Sequence, residues 1–143
     1  MEDRRRFFRL LGGVSVVAAS CSDPGGQKEA TGDIDAGAVS ALPVGALRVV
    51  PGHPLVVGRD AGGIYAMTAI CTHAQCDITK DGDVSDQGLH CGCHSSDFDR
   101  VGRRLSGPAN APLRHYRVSV SMGRIVVHAG DVVPDADRTA APA

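Results

Sequence analysis

Two short segments of the chain concentrate side chains that bind metals. The first, at residues 71–76, reads Cys-Thr-His-Ala-Gln-Cys, and the second, at 91–94, reads Cys-Gly-Cys-His. Each offers a cysteine followed closely by a histidine, in the pattern Cys-x-His, then seventeen residues, then Cys-x-x-His. Thiolates and imidazoles are ligands of zinc and of iron–sulfur centres. The two segments can therefore surround one metal centre with two sulfur and two nitrogen ligands.

The order of these ligands distinguishes two kinds of site. Cys71 pairs with His73 in the first segment, and Cys91 pairs with His94 in the second. A Cys₂His₂ zinc finger instead places both cysteines before both histidines. The interleaved order favours a cluster with two chemically different irons, one bound by thiolates and the other by imidazoles. A structural zinc site is the alternative.

The elements that position these segments are predicted to be short strands. The chain has 143 residues with 18 Gly and 8 Pro, and only 3% of its residues are aromatic. Apolar runs at 55–57 and 64–67 flank turn residues, which predicts a hairpin. Val118, Val120 and Met122 alternate with serines, which predicts a half-buried strand. We expect one small all-β domain at 34–133.

The two ends of the chain have other compositions. Residues 1–20 resemble a twin-arginine signal peptide, with Arg4 and Arg5 ahead of a short apolar stretch. That stretch is too short to span a membrane. Residues 22–33 are polar and rich in glycine, which predicts a flexible linker. Residues 134–143 are predicted to be a disordered tail.

Cys21 stands apart from the other cysteines. Residues 18–21 read Ala-Ala-Ser-Cys and resemble a lipobox, in which the cysteine is lipidated. We therefore expect Cys21 to anchor an exported protein to the periplasmic side of a bacterial membrane; a free thiol near an ordinary cleavage site is the alternative. The formal net charge of −1 argues against a nucleic-acid-binding protein, which would need a basic face.

Residues 44–128 resemble the Rieske [2Fe–2S] family. The two ligand segments carry the resemblance, and residues 107–113, with Gly-Pro-Ala and Pro-Leu, are similar to the family's proline-bearing loop. The resemblance implies a small domain of short antiparallel strands with two cluster-binding loops at one end and one [2Fe–2S] cluster per chain. It assigns Cys71 and Cys91 to the inner iron, and His73 and His94 to the outer iron.

Other positions refine the resemblance. Cys76 and Cys93 stand where Rieske proteins of cytochrome bc complexes and arsenite oxidase have a disulfide between the two loops. Ser96 stands where high-potential members have a serine that donates to a cluster sulfur. Phe98 replaces a tyrosine that donates to a cysteine sulfur, so the resemblance implies a reduction potential below the bc-type extreme.

Four loop residues depart from the family pattern, and one of them, Ala74, replaces a leucine that helps shape the quinol contact in bc-type proteins. Gln75 and Ser95 stand where the family usually has glycine, and Gly92 stands where it usually has proline. These departures fall at positions other than the ligands and leave all four ligand positions intact.

The resemblance also implies a function. It is single-electron transfer, coupled to a proton, from a quinol-oxidising complex to a c-type cytochrome, with no catalysis by the chain alone. One alternative is the small subunit of a molybdenum oxidoreductase resembling arsenite oxidase. Another is a structural or sensory metal-binding module.

Overall fold

A computed structural model describes residues 27–142, which form two antiparallel sheets. The six-stranded sheet contains β1 (Gly32–Ala38), β2 (Leu47–Val49), β3 (Leu55–Asp60), β4 (Gly63–Thr68), β9 (His115–Ser121) and β10 (Arg124–Val133) in the order β1-β10-β9-β4-β3-β2. The four-stranded sheet contains β5 (Gly82–Ser85), β6 (Gly88–Cys91), β7 (Ser96–Asp99) and β8 (Arg104–Ser106) in sequence order. A single-turn helix, α1 (Ile78–Asp81), and a 3-10 turn (Val39–Ala41) complete these elements. The all-β prediction is confirmed.

Both hairpins indicated by the apolar patterns are present. β3 and β4 pair along their whole length, and β9 pairs with β10 so that Val118 lies opposite Val127. Met122 does not belong to the half-buried strand that its alternation with Val118 and Val120 predicts. It lies in the turn after β9, with a φ of 51°, and is 99% exposed. Gly123 follows with φ 74°. Two successive residues with positive φ form the tight turn that matches the twist of a hairpin.

The β3–β4 hairpin is buried on both faces and separates two hydrophobic clusters. Val57 and Ile64 enter one cluster, which lies within the six-stranded sheet. Tyr65 and Met67 enter the other, which packs the hairpin against the four-stranded sheet. Successive side chains of a strand point to opposite faces, so one hairpin serves both clusters. Burial on both faces also explains why these strands are continuous apolar runs.

The N-terminal boundary differs from the sequence prediction. The linker was expected to extend to residue 33, yet β1 begins at Gly32 and the preceding Ala30 is only 8% exposed. β1 pairs with β10 and buries Ile34 opposite Val127, which fixes this segment in the sheet. The signal peptide at 1–20, Cys21 and residues 22–26 lie outside the described residues.

Residues 134–142 are ordered, contrary to the expectation of a disordered tail over 134–143, of which Ala143 lies outside the described residues. The Thr139 N–H donates to the Ile64 carbonyl, and the Ile64 N–H donates to the Thr139 carbonyl. The Thr139 hydroxyl also donates to the Val118 carbonyl at 2.7 Å. β4 and β9 pair with each other only at Ala66 and Met67, near the end of β4. The tail therefore bonds to backbone groups at the start of β4 that have no partner in β9. Over residues 27–142 no helix is long and apolar enough to cross a membrane.

Candidate metal centre

The first ligand loop, residues 71–76, connects β4 to α1. Its backbone closes on itself, because the Cys71 N–H donates to the Cys76 carbonyl and the Gln75 N–H donates to the Cys71 carbonyl, both at 2.9 Å. Gln75 has a φ of 57°, in the left-handed region that favours glycine. The loop therefore keeps the backbone conformation for which glycine is suited, although this chain has glutamine there.

The second ligand loop, residues 92–95, joins β6 to β7. Cys91 lies opposite Ser96 at the end of that strand pair, so the loop is a hairpin connection. Ser95 has a φ of 58°, the same left-handed conformation as in the first loop. The Gly92 N–H donates to the Asp81 carbonyl at 2.8 Å, a contact that proline could not make. This bond ties the second loop to α1.

A disulfide joins the two loops. Cys76 is bonded to Cys93, and their Cα atoms are 6.6 Å apart. This confirms the pairing that the resemblance implied. The bridge closes a covalent loop over residues 76–93, from the end of the first segment into the second, and it restricts how far the two ligand loops can separate.

The other two cysteines of the loops remain thiols. Cys71 and Cys91 are free and buried, with exposures of 2% and 1%. Burial raises the pKa of the Cys91 thiol, and the neighbouring Cys71 thiol raises it further, while backbone hydrogen bonds from Cys93 and His94 oppose the rise. Since a buried thiolate needs a nearby positive charge, the pair is chemically suited to a metal ion.

The two candidate histidines lie together at the surface. The ring centroids of His73 and His94 are 4.7 Å apart, with an interplanar angle of 84°. Both side chains are exposed, in contrast to the buried thiols. The site therefore has a sulfur side facing the core and a nitrogen side facing solvent.

One further grouping of sulfur atoms lies in the same place. The ligand atoms of Cys76, Cys91 and Cys93 all lie within 4.8 Å of one another. Two of these sulfurs are bonded to each other in the disulfide and cannot serve as thiolates. Cys91 is the one member of this group that is free to bind metal, and the remaining donors must come from other residues.

A third loop, residues 107–112, packs against both ligand loops. The Thr72 hydroxyl donates to the Ala111 carbonyl at 2.7 Å, and the Ala109 N–H donates to Ser96 Oγ at 3.1 Å. Arg104 holds the start of this loop by donating twice to the Gly107 carbonyl, at 3.1 and 2.6 Å.

The family resemblance implies the third loop but gives no role to Thr72 or Arg104. Both donate hydrogen bonds from the side chain to a backbone carbonyl, and such contacts leave no periodic signal in a sequence.

Ser96 and Phe98 occupy the interior beneath the second loop. Ser96 is fully buried, and its oxygen accepts the Ala109 amide, so its hydroxyl hydrogen is left to donate elsewhere. Phe98 is 1% exposed and packs in the same hydrophobic cluster as Cys71 and Cys91. Its ring excludes water from the sulfur side of the site without supplying a donor.

The model of the Rieske [2Fe-2S] domain family matches residues 33–117 of this chain. The chain belongs to the Rieske [2Fe–2S] family. It is an electron-transfer protein, and its cofactor is a Rieske-type [2Fe–2S] cluster. The disulfide places it with the Rieske proteins that link their two ligand loops covalently.

Relatives of this Rieske protein include a cytochrome b6-f subunit and a dioxygenase ferredoxin. The cytochrome b6-f complex iron-sulfur subunit of Chlorobaculum tepidum is 28% identical over 137 residues, covering 87% of this chain and 75% of that protein. The ferredoxin component of the p-cumate 2,3-dioxygenase system of Pseudomonas putida is 31% identical over 85 residues, covering 59% of this chain and 72% of that protein. The solved cyanobacterial plasma membrane Rieske protein from Synechocystis has a TM-score of 0.52 at 28% identity, covering 66% of this chain and 97% of that chain.

Gly107 tests whether the third loop must approach the second so closely. A Cβ at this residue would lie 2.3 Å from the Ser95 carbonyl oxygen, and the φ is +89°. Gly130 has nearly the same φ, +91°, with nothing within 4 Å of its Cβ position. We expect Gly107→Ala to lower the free energy of unfolding by about 2 kcal/mol more than Gly130→Ala, because only the first introduces a clash. Urea unfolding measures both, and equal losses would contradict the packing described.

Proposed function

We propose that Cys71, His73, Cys91 and His94 bind the cluster, with both cysteines on one iron and both histidines on the other. The observation that carries this assignment is the separation of donor types. Two free thiols are buried together, and two imidazoles lie side by side at the surface. The disulfide removes Cys76 and Cys93 from the set of possible ligands. Cys71, His73, Cys91 and His94 are therefore the thiol and imidazole donors that lie together at the site.

When bound, such a cluster accepts and releases one electron, at potentials of about −150 to +300 mV across the class. Neutral imidazoles on one iron reduce the negative charge around the site, which favours reduction relative to a site with thiolates alone. The buried Cys71 and Cys91 keep the sulfur side dry. The exposed His73 and His94 offer a short route for electrons to a partner that docks on the nitrogen side.

We further propose that electron transfer is coupled to a proton. The exposed rings of His73 and His94 can exchange a ring proton with water. Loss of an electron raises the positive charge next to these rings and favours release of the proton. Gain of an electron favours its return. Such coupling suits a donor that gives up electrons and protons together, as a quinol does.

The setting we propose is the periplasmic side of a bacterial membrane, with a lipid anchor at Cys21. The twin-arginine-like residues 1–20 support export of the folded protein. The disulfide also supports this setting, because such bonds persist in oxidising compartments. In the proposed path, electrons pass from a quinol-oxidising complex through this protein to a c-type cytochrome. The relatives that are cytochrome b6-f subunits support that direction of electron flow. A molybdenum oxidoreductase in place of the quinol-oxidising complex is the second candidate, favoured by Phe98.

Ligand substitution tests the metal assignment. We expect the whole chain to contain about two irons and two acid-labile sulfides, as one [2Fe–2S] cluster requires. Cys91→Ser and His94→Ala should each remove nearly all of this iron, since each deletes a donor. His53→Ala is the control, because His53 is an exposed histidine that belongs to neither ligand loop. Metal analysis that finds one zinc, or a Cys91→Ser variant with full iron content, would overturn the proposal.

The pH dependence of the midpoint potential tests proton coupling. We expect the potential to fall as pH rises, because deprotonated imidazole stabilises the oxidised state. Where one proton leaves with one electron, the slope is about 59 mV per pH unit. Protein-film voltammetry from pH 5 to pH 10 measures this slope. A potential that stays constant across that range would refute proton coupling and leave a simple electron carrier.

A further inference from the structure

The residues that lead into the domain lie against the first ligand loop. We call residues 27–30 the N-terminal strap. The Gln27 N–H donates to the Gln75 carbonyl at 3.3 Å, which joins the strap to the loop between Cys71 and Cys76. Strap and loop together line a cavity of about 370 Å³ beside the Cys71 backbone. A segment of the chain outside the β-sheets therefore contacts the site directly.

Glu29 is the strap residue whose side chain hydrogen-bonds to two buried residues. Its Oε2 accepts the Thr68 hydroxyl at 2.6 Å and the Tyr116 hydroxyl at 2.9 Å. Thr68 Oγ1 in turn accepts the Ile70 N–H at 3.0 Å. Ile70 immediately precedes Cys71. A hydrogen-bond chain thus runs from the strap carboxylate, through one hydroxyl, to the backbone of the residue before a proposed ligand.

The surroundings make this chain costly to break. Thr68 is 1% exposed and Tyr116 is 3% exposed, so loss of the carboxylate would remove the acceptor of two buried hydroxyl groups. Burial, reinforced by the hydrogen bond to Glu29, raises the pKa of Tyr116 to about 12, so its hydroxyl remains a donor at neutral pH. Hydrogen bonds to a carboxylate are also stronger than those between neutral groups.

We propose that Glu29 is a positioning residue for the first ligand loop. Its carboxylate fixes the Thr68 hydroxyl, and that hydroxyl fixes the Ile70 amide and hence the backbone that presents Cys71. The importance of this backbone for metal binding rests on the proposed function, in which Cys71 is a ligand. The consequence is that the segment ahead of the domain is mechanically linked to the site rather than being a passive tether.

Amide hydrogen exchange and iron release test the proposal on the whole, cluster-loaded chain. We expect Glu29→Ala to speed exchange at Ile70 and Cys71 about tenfold, equivalent to about 1.4 kcal/mol. Release of iron to a chelator should accelerate by a similar factor. Glu29→Gln keeps an oxygen that can accept the hydrogen bond of the Thr68 hydroxyl. Amide exchange and iron release in this variant should therefore stay close to the rates of the unsubstituted protein.

Two controls separate positioning from a general loss of stability. Lys28→Ala removes an exposed strap side chain and should leave both rates unchanged. Thr68→Val removes the hydroxyl that links Glu29 to the Ile70 amide. Adding Glu29→Ala to this variant should therefore cause no further acceleration of amide exchange at Ile70. Exchange in β10 reports whether the fold itself has weakened.

Two results would overturn the proposal. One is unchanged exchange at Ile70 in Glu29→Ala, and the other is full additivity of the two substitutions. A wild-type chain that binds no iron would instead refute the proposed function, while the exchange rates would still judge the role of Glu29.

Discussion

The structure depends on keeping two thiols reduced and buried beside a disulfide. The sulfurs of Cys76, Cys91 and Cys93 lie within 4.8 Å of one another, so a wrong pairing needs little movement. Burial also disfavours the Cys91 thiolate unless a cation is present. Bound metal solves both problems, because it stabilises the thiolates and occupies the sulfurs that would otherwise exchange. Metal loading before disulfide formation would therefore protect the correct pairing.

The rest of the site holds this arrangement in place from three sides. The hairpin of β3 and β4 supplies the apolar base, and the four-stranded sheet carries the second loop. The third loop closes the remaining side through Thr72 and Ser96. Across the site, solvent exposure therefore increases from the buried cysteine sulfurs to the exposed histidine rings. Under the proposed ligand assignment, this arrangement would let an electron-transfer partner reach the imidazole side while water stays excluded from the thiolates.

Much of this could be predicted from the sequence, for identifiable reasons. The hairpins follow from apolar periodicity, and the disulfide follows from the position of its cysteines within a family pattern. The four proposed ligands rest on the same pattern. The ordered tail and the strap were missed because each depends on a few contacts between residues distant in sequence, such as Thr139 with Ile64 and Glu29 with Thr68. α1 has only a single turn, too short for a helical period. Met122 was misplaced because alternation alone does not show where a strand becomes a turn.

The division of ligands between the two irons is the central claim, and nitrogen hyperfine spectroscopy tests it most directly. Pulsed electron paramagnetic resonance of the reduced protein, with and without ¹⁵N-labelled histidine, identifies histidine nitrogens bound to the paramagnetic centre. The account predicts strong couplings from two distinct histidine nitrogens, one from His73 and one from His94, which change with the isotope. A spectrum without strong histidine couplings would contradict it and would indicate a cluster bound by other donors.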